Sequence, residues 1–401
     1  MNSSVAPQST RRLGLDPAWR TAAVAWVVSR LVVAAAYLAT KSGWFSDFAV
    51  GDAQADHGLL LWDGTWYRDL LDGGYDAARP DMQRFFPLYH LVGRAVDAVV
   101  SNAAVSLVIV SNVAALVALW AMYRLVVASG FAERIACRSV WWLAMFPAAA
   151  SLTFAYSESL SIALGVVAVW ALIERRWWVA IPAAFLVGLS RSVGAMICVA
   201  LCAVAVEELW SAWRRLPDGD RSIGALLRRR SRWLAGAGAT IAAPAVAFAA
   251  YMLWLRATFG TWDAPLESQR QFRDGWRDPF TRLASGLFDV VTGDGTDVFN
   301  VAFALVAIVV IVVAARRAPW WASASVVATL VVALSANNIN SLGRYVLAAF
   351  PIALLLALGE ERVVAGRDAR TVRAINIAAT TASGLAMIIY CLFAWSGRMI
   401  P

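Results

Sequence analysis

The chain has 401 residues, of which 60% are hydrophobic and only 15% are charged, and its mean hydropathy is +0.63. Soluble globular domains, disordered tails and disulfide-rich secreted scaffolds are far more polar. The net charge of +8 would suit a nucleic-acid binder, but such a binder would not be this apolar. The composition therefore predicts an integral membrane protein that does not bind nucleic acid.

Apolar runs along the chain predict about eleven crossings of the bilayer. Residues 21–40 form the first, and we expect it to stay uncleaved because no small-residue cleavage site follows it. The other runs are 103–127, 140–156, 158–173, 177–190, 193–210, 236–256, 298–315, 319–336, 344–359 and 374–396. We predict an all-α bundle of about eleven to twelve transmembrane helices that forms a single domain, 1–401.

The charges between these runs predict the orientation. Arginines gather at 124–138, 175–176, 214–232, 316–317 and 362–373, and the positive-inside rule makes these segments cytoplasmic. The first external loop, 42–102, is acidic and is expected to carry juxtamembrane helices, and the second external loop is 258–297. The acidic residues of the first loop include Asp47, Asp52, Asp56, Asp63, Asp69, Asp72, Asp76 and Asp81. If both loops are external, residues 85–101 have to lie along the outer surface or re-enter the membrane instead of crossing it.

Lys41 is the only lysine, which is typical of a high-GC bacterial genome, so we predict a bacterial plasma membrane.

Two apolar segments are too long for one crossing. Residues 140–173 and 177–210 each contain 34 residues, or about 50 Å of helix, against a hydrocarbon core of about 30 Å. Each must bend or form a hairpin, with its polar apex at 156–159 or at 190–192. A third polar turn covers 337–345, and the three turns are all predicted to face outward.

Charged side chains at these turns need a partner or a function. Each costs roughly 2.5–3.5 kcal/mol at membrane depth. Glu158 and Arg191 would be explained if they neutralise each other or snorkel at the hairpin tips, but together with the acidic outer loop they also suit an anionic lipid substrate. Arg344 begins a span that has no other charge in its outer half, so it is the stronger candidate phosphate ligand, with Arg191 as its competitor.

Several short motifs occur in an order that resembles the PIG-V-like mannosyltransferases of the GT-C superfamily. They are Trp62-Asp63-Gly64-Thr65-Trp66-Tyr67, Gly74-Tyr75, Phe85-Phe86-Pro87-Leu88-Tyr89, Phe146-Pro147, Tyr156-Ser157-Glu158-Ser159-Leu160, Arg191-Ser192 with Gly194, Gln269, Trp276, Gly343-Arg344-Tyr345 and Phe350-Pro351. No one of these motifs is specific, but their joint order covers roughly residues 20 to 355. His90 departs from the family pattern, where proline is frequent.

The resemblance implies an inverting transfer of a sugar, mannose in that family, from a polyprenyl-phosphate donor to a glycolipid or glycan acceptor. Asp63 matches the essential carboxylate of the first external loop, although it also precedes an amphipathic stretch that it could cap. Arg191 and Arg344 are the candidate ligands of the donor phosphate, and no cofactor or metal is implied. The candidate substrate-binding residues are Trp62, Trp66, Tyr67, Tyr75, Phe86, Tyr156, Glu158, Ser192, Gln269, Trp276 and Tyr345. The aromatic members of this set would equally suit an interfacial belt, and Gln269 and Trp276 an ordinary surface helix.

Two other classes of membrane protein have to be weighed. A polytopic transporter or lipid flippase would also have many helices and a few buried charges, but inverted repeats with broken helices at the midplane would be expected. A membrane O-acyltransferase would normally use a histidine base, and neither His57 nor His90 has a nucleophile or metal pattern around it. The polar constellation on one face favours the glycosyltransferase, and a simple binding module would leave it unexplained.

The predicted orientation is testable by labelling single introduced cysteines in intact cells. Cysteines at Ala55 and Trp276, one in each external loop, should react with a membrane-impermeant thiol reagent, whereas a cysteine at Asp220 should not. Labelling of position 220 from outside would overturn the orientation.

Overall fold

The computed structural model describes residues 16–43, 54–217, 222–292 and 298–401, and these residues form helices without any strand. In chain order the helices are α1 (Pro17–Lys41), α2 (Asp63–Gly73), α3 (Pro87–Val100), α4 (Ala103–Ala128), α5 (Glu133–Met145), α6 (Glu158–Ile173), α7 (Trp177–Gly188), α8 (Ile197–Arg214), α9 (Ile223–Phe259), α10 (Ala264–Phe272), α11 (Pro279–Thr292), α12 (Val298–Ala314), α13 (Trp320–Leu334), α14 (Leu342–Ala348), α15 (Ile352–Val364) and α16 (Ala369–Trp395). The predicted all-α class is confirmed. Asp47, Asp52 and the loop residues 218–221 and 293–297 lie outside the described residues.

The chain has helices that are long and apolar enough to cross a bilayer. Five described segments meet this test by length and composition: α1, α4, α9, α16 and Ser192–Arg214, which contains α8. The bent pair α14 and α15 adds a sixth, and four shorter apolar helices are α6, α7, α12 and α13. The protein is therefore a multi-pass membrane protein, and the count of eleven to twelve crossings stays a prediction.

The first long apolar segment is broken, as its length predicted. α5 ends before Pro147, a short 3-10 helix follows, and α6 begins at Glu158. Backbone carbonyls freed by the break are satisfied by side chains: Arg30 Nη2 donates to Leu152 O at 3.0 Å, and Asn112 Nδ2 donates to Thr153 O at 3.2 Å. Such partners are what allow irregular backbone inside an apolar bundle.

The second long segment is broken too. α7 ends at Gly188, a turn over 189–191 leads into the 3-10 helix Ser192–Met196, and α8 follows. Both breaks fall at the predicted polar apices.

The apolar run at 344–359 was predicted to be one span, but the structure divides it between two helices, α14 and α15. α14 and α15 meet at 83° because Pro351 disfavours helical backbone at the residue before it. The bend keeps α14, with Arg344, beside the polar turn that precedes it.

Small residues let the helices approach closely. α4 packs along α6, and α7 packs along α9. At the second of these contacts Gly188 lies so near the carbonyl oxygen of Pro244 that a Cβ would overlap it. Close backbone approach of this kind is typical of helix packing in membranes.

The described part of the predicted first external loop, residues 54–102, packs against this bundle. α3 has 14 residues, about 21 Å of helix, which is shorter than a hydrocarbon core of about 30 Å. It packs on α2 and α4, and its length agrees with the prediction that 85–101 does not cross as a simple span.

Candidate functional site

One polar pocket is lined by residues of the two predicted external loops and of the three polar turns. It has a volume of about 80 Å³. Its lining residues are Asp63, Tyr67, Arg84, Phe85, Phe86, Ser157, Arg191, Ser192, Gln269, Phe272, Arg273, Asn338, Asn340, Ser341, Arg344 and Tyr345. Eight of the predicted site residues are in this set. They come from distant parts of the sequence, since Asp63 and Tyr345 are 282 positions apart.

Arg344 joins the two carboxylates of the site. Its Nη1 donates to Asp63 Oδ2 at 2.5 Å and to Glu158 Oε1 at 3.0 Å, and its Nη2 donates to Ser341 Oγ at 2.9 Å. The guanidinium also lies over the ring of Tyr156, 5.0 Å from its centroid. Arg344 is 6% exposed and lines the pocket, and its role as a phosphate ligand stays a prediction.

Glu158 pairs with the second predicted phosphate ligand as well. Its Oε1 contacts Arg191 Nη1 in addition to Arg344. Glu158 is 1% exposed and does not line the pocket, so it lies behind the arginines, and its predicted contact with a substrate stays a prediction. It begins α6, where the positive end of the helix dipole favours a carboxylate.

Asp63 reaches the same network from the first external loop. It is the first residue of α2, and the described contacts of its carboxylate are with Arg344 and not with backbone amides, which disfavours the capping interpretation. Its side chain is 26% exposed, toward the pocket. Burial raises the pKa of Asp63, but the charge of Arg344 and its hydrogen bond lower it further, so the pKa lies below its ordinary value. Asp63 is thus an ionised carboxylate at neutral pH.

Two pocket arginines were missed by the sequence analysis. The guanidinium of Arg84 lies 4.9 Å from the ring centroid of Phe85 and 5.2 Å from that of Phe272. The guanidinium of Arg273 lies 4.6 Å from the ring centroid of Tyr345. Neither arginine forms an ion pair with a carboxylate in the part of the chain that the structure describes. Arg84 directly precedes the Phe85-Phe86-Pro87 motif, and that adjacency was the available signal.

The pocket is electropositive as a result. Four arginines line it against the single carboxylate of Asp63, and with Glu158 behind them the formal net charge is +2. Tyr67 adds a neutral polar group, since burial holds the pKa of its phenol well above the ordinary value, and its hydroxyl donates to Ser157 Oγ at 2.7 Å. A positive, partly buried pocket of this kind favours an anionic group.

Six predicted substrate-binding residues lie outside the pocket lining: Glu158, described above, and five aromatic residues. Trp62 donates from Nε1 to Ala394 O at 3.1 Å and so anchors the loop to α16. Trp66 stacks on Phe85, and Tyr75 lies in a neighbouring apolar groove. Trp276 is 76% exposed. The remaining predicted residue, Tyr156, is buried beneath Arg344. These five aromatic residues were predicted from the order of the motifs in the sequence. That order does not specify on which face of a helix each ring lies.

No metal centre is evident in the described ranges. No group of three or more His, Cys, Asp or Glu side chains among these residues is placed to hold a metal ion.

The network at Glu158 generates a stability prediction. Glu158→Gln removes the charge shared by Arg191 and Arg344, and breaking a buried pair from one side typically costs about 3–5 kcal/mol. The variant should unfold at a clearly lower temperature in detergent. Glu267→Gln is the matched control, because the Glu267 side chain is 54% exposed and its nearest cation lies 3.9 Å away. Equal unfolding temperatures for both variants would contradict this account of the network.

Comparison with known proteins bears on this site. Matches to solved structures include the oligosaccharyltransferase AglB of Archaeoglobus fulgidus with an inhibitory peptide and a dolichol-phosphate (13% identity, TM-score 0.42). A second match is the same enzyme tethered to an acceptor peptide (13% identity, TM-score 0.41). Each of the two matches covers 92% of this chain and 55% of the oligosaccharyltransferase chain. This chain therefore spans about half the length of these structures. No curated protein matches.

The family model Mannosyltransferase (PIG-V) matches residues 80–256, less than half of the chain. This match supports the interpretation of the chain as a glycosyltransferase. Over residues 80–256 the chain is therefore similar to the PIG-V mannosyltransferases, which confirms the resemblance read from its motifs.

Proposed function

We propose that this protein is an inverting GT-C-type glycosyltransferase that moves a sugar, mannose by its family likeness, from a polyprenyl phosphate to a hydroxyl of a lipid-linked or cell-envelope acceptor. The observation that carries the proposal is the pocket itself, in which one ionised carboxylate and four arginines meet. The arginine-rich segments that are expected on the cytoplasmic side support a site on the external face of a bacterial plasma membrane.

The reaction needs little from the protein beyond these groups. The acceptor oxygen forms a bond to the anomeric carbon as the bond from that carbon to the phosphate oxygen breaks, and the configuration inverts. The hydroxyl proton passes to Asp63, and the polyprenyl phosphate leaves with the electron pair of the broken bond. A phosphate leaves without an acid, so one base and a set of phosphate-binding cations are sufficient.

The cations divide into two pairs. Arg191 and Arg344 already share Glu158, so their charge is partly offset before a donor arrives. Arg84 and Arg273 are held by aromatic faces and keep their full charge for the pocket. We therefore assign the first contact with the donor phosphate to Arg84 and Arg273, with Arg191 and Arg344 completing its shell.

Donor binding changes the basicity of Asp63. In the structure Arg344 holds this carboxylate at 2.5 Å, which weakens it as a base. A phosphate that takes a hydrogen bond from Arg344 loosens this pair, and its own negative charge raises the pKa of Asp63. The carboxylate then accepts a proton only when the donor is present, which limits side reactions of an empty site.

Neutral polar groups in the pocket lining suit a sugar. Gln269, Asn338, Asn340 and Tyr345 line the pocket and come from the second predicted external loop and the third polar turn. Amides and a phenol are the groups that hydrogen-bond hydroxyls without adding charge. Asn338 is itself positioned by a bond from its Nδ2 to Phe272 O at 3.2 Å.

The role of Asp63 is tested by Asp63→Asn. The substitution preserves size but removes the base, so turnover should fall by roughly 10²–10⁴-fold while the donor still binds. Asp69→Asn is the control, because Asp69 lies on the same helix and its ion pairs among the described residues are with Arg68 and Arg79 at the surface. Sugar transfer by purified Asp63→Asn protein at the wild-type rate would reject Asp63 as the base.

The phosphate assignment is tested by Arg84→Gln and Arg273→Gln. A charge-assisted hydrogen bond contributes about 1.5–3 kcal/mol, so each variant should bind polyprenyl phosphate at least about tenfold more weakly. Arg270→Gln should bind normally, since its side chain is 80% exposed and does not line the pocket. Binding is measured by displacement of a labelled polyprenyl phosphate, and unchanged affinity in both pocket variants would place the phosphate elsewhere.

A further inference from the structure

An apolar groove lies beside the polar pocket, between α3 and the outer part of α9. Its volume is about 550 Å³, within the range of about 300–1,000 Å³ that is usual for small-ligand sites. Most of its lining is aromatic or aliphatic, and it includes Tyr75, Leu91, Phe185, Tyr251, Trp254 and Phe259.

The surroundings of the groove indicate that it opens toward lipid. Leu91 is 50% exposed and Trp254 is 43% exposed, and the neighbouring Leu253 is 66% exposed. The last two lie on α9, which is long and apolar enough to cross a bilayer. Exposed apolar side chains on such a helix face hydrocarbon, so a lipid chain can enter the groove from the side.

Only a thin wall separates the groove from the arginine pocket. Phe86 lines the pocket and contacts Tyr251 of the groove, with ring centroids 4.7 Å apart. Tyr75 donates from its hydroxyl to Phe85 O at 2.5 Å, and Tyr251 donates to Gln83 O at 2.8 Å. Both groove tyrosines therefore fix the backbone that carries Arg84.

The second wall is a single turn of the chain. Leu189 lines the groove, and Arg191, two residues later, lines the pocket. Leu88 N donates to Leu189 O at 3.0 Å and holds this turn against α3. A ligand with an anionic head and an apolar tail would thus find the two parts of its site on either side of one turn.

We propose that this groove holds the first isoprene units of the donor's polyprenyl chain, with the donor phosphate in the arginine pocket. The inference rests on the proposed function and adds to it the place of the lipid. A chain that leaves the bilayer for the groove gains little hydrophobic free energy, because it is apolar in both places. The groove therefore contributes orientation and selection: flat, unsaturated and branched isoprene units pack against aromatic faces that a flexible saturated chain fits less well.

Narrowing the groove tests the proposal. Ala250 lines the groove on the exposed side of α9, so Ala250→Phe fills it without crowding the core. Ala249→Phe is the matched control, since Ala249 is also exposed but does not line the groove. With a long-chain polyprenyl-phosphate sugar, Ala250→Phe should raise KM at least about tenfold, whereas a sugar phosphate that carries a methyl group in place of the lipid should be used as well as by the wild type. An equal effect on both donors, or none on either, would overturn the assignment.

A second readout does not require sugar transfer. A long-chain polyprenyl phosphate that carries a diazirine in its first isoprene units should crosslink to peptides of α3 and α9 in the wild type and not in Ala250→Phe. If these crosslinks form but no sugar is transferred from any donor, the groove assignment holds and the proposed function fails. Crosslinks outside the groove, or equal labelling of the groove by a saturated phospholipid probe, reject the groove as the polyprenyl site.

Discussion

The sharing of Glu158 by two arginines is the interaction on which the site depends. Glu158 is 1% exposed and contacts both Arg191 and Arg344, and Arg344 in turn holds Asp63. Isolated charges at this depth would each be costly, so the four groups stabilise one another only when they are assembled. The network therefore ties the start of α2, the start of α6, the turn after α7 and α14 into one arrangement.

The breaks in the long apolar segments follow from the same requirement. A continuous helix would carry its polar residues along the bundle, whereas a break brings them to a turn where side chains meet. Arg30 and Asn112 make the first break tolerable because they donate hydrogen bonds to backbone carbonyls that the break between α5 and α6 leaves unpaired. The polar residues at these breaks are then free to line one pocket.

Much of this was predictable from the sequence. The lengths of the apolar runs predicted both broken segments, and the joint order of motifs brought Asp63, Arg191 and Arg344 to one site. Pairing was not predictable, because the partner of a buried charge depends on distances between helices far apart in sequence. Arg84 and Arg273 were missed for a related reason: an arginine in a polar loop looks solvated until packing places aromatic rings under it. The rings of Trp62 and Trp276 show the reverse error, since motif order does not reveal which way a side chain faces.

The central claim is that the pocket cleaves the bond between a sugar and a polyprenyl phosphate. The direct measurement uses the purified protein in lipid vesicles with a polyprenyl-phosphate mannose labelled in the sugar, mixed with membrane lipids and cell-envelope glycans as acceptors. The account predicts that label appears in a new glycoside while free polyprenyl phosphate is released in equal amount, and that a nucleotide sugar does not replace the donor. Recovery of the donor intact, redistributed between leaflets, would contradict the account and identify a transporter.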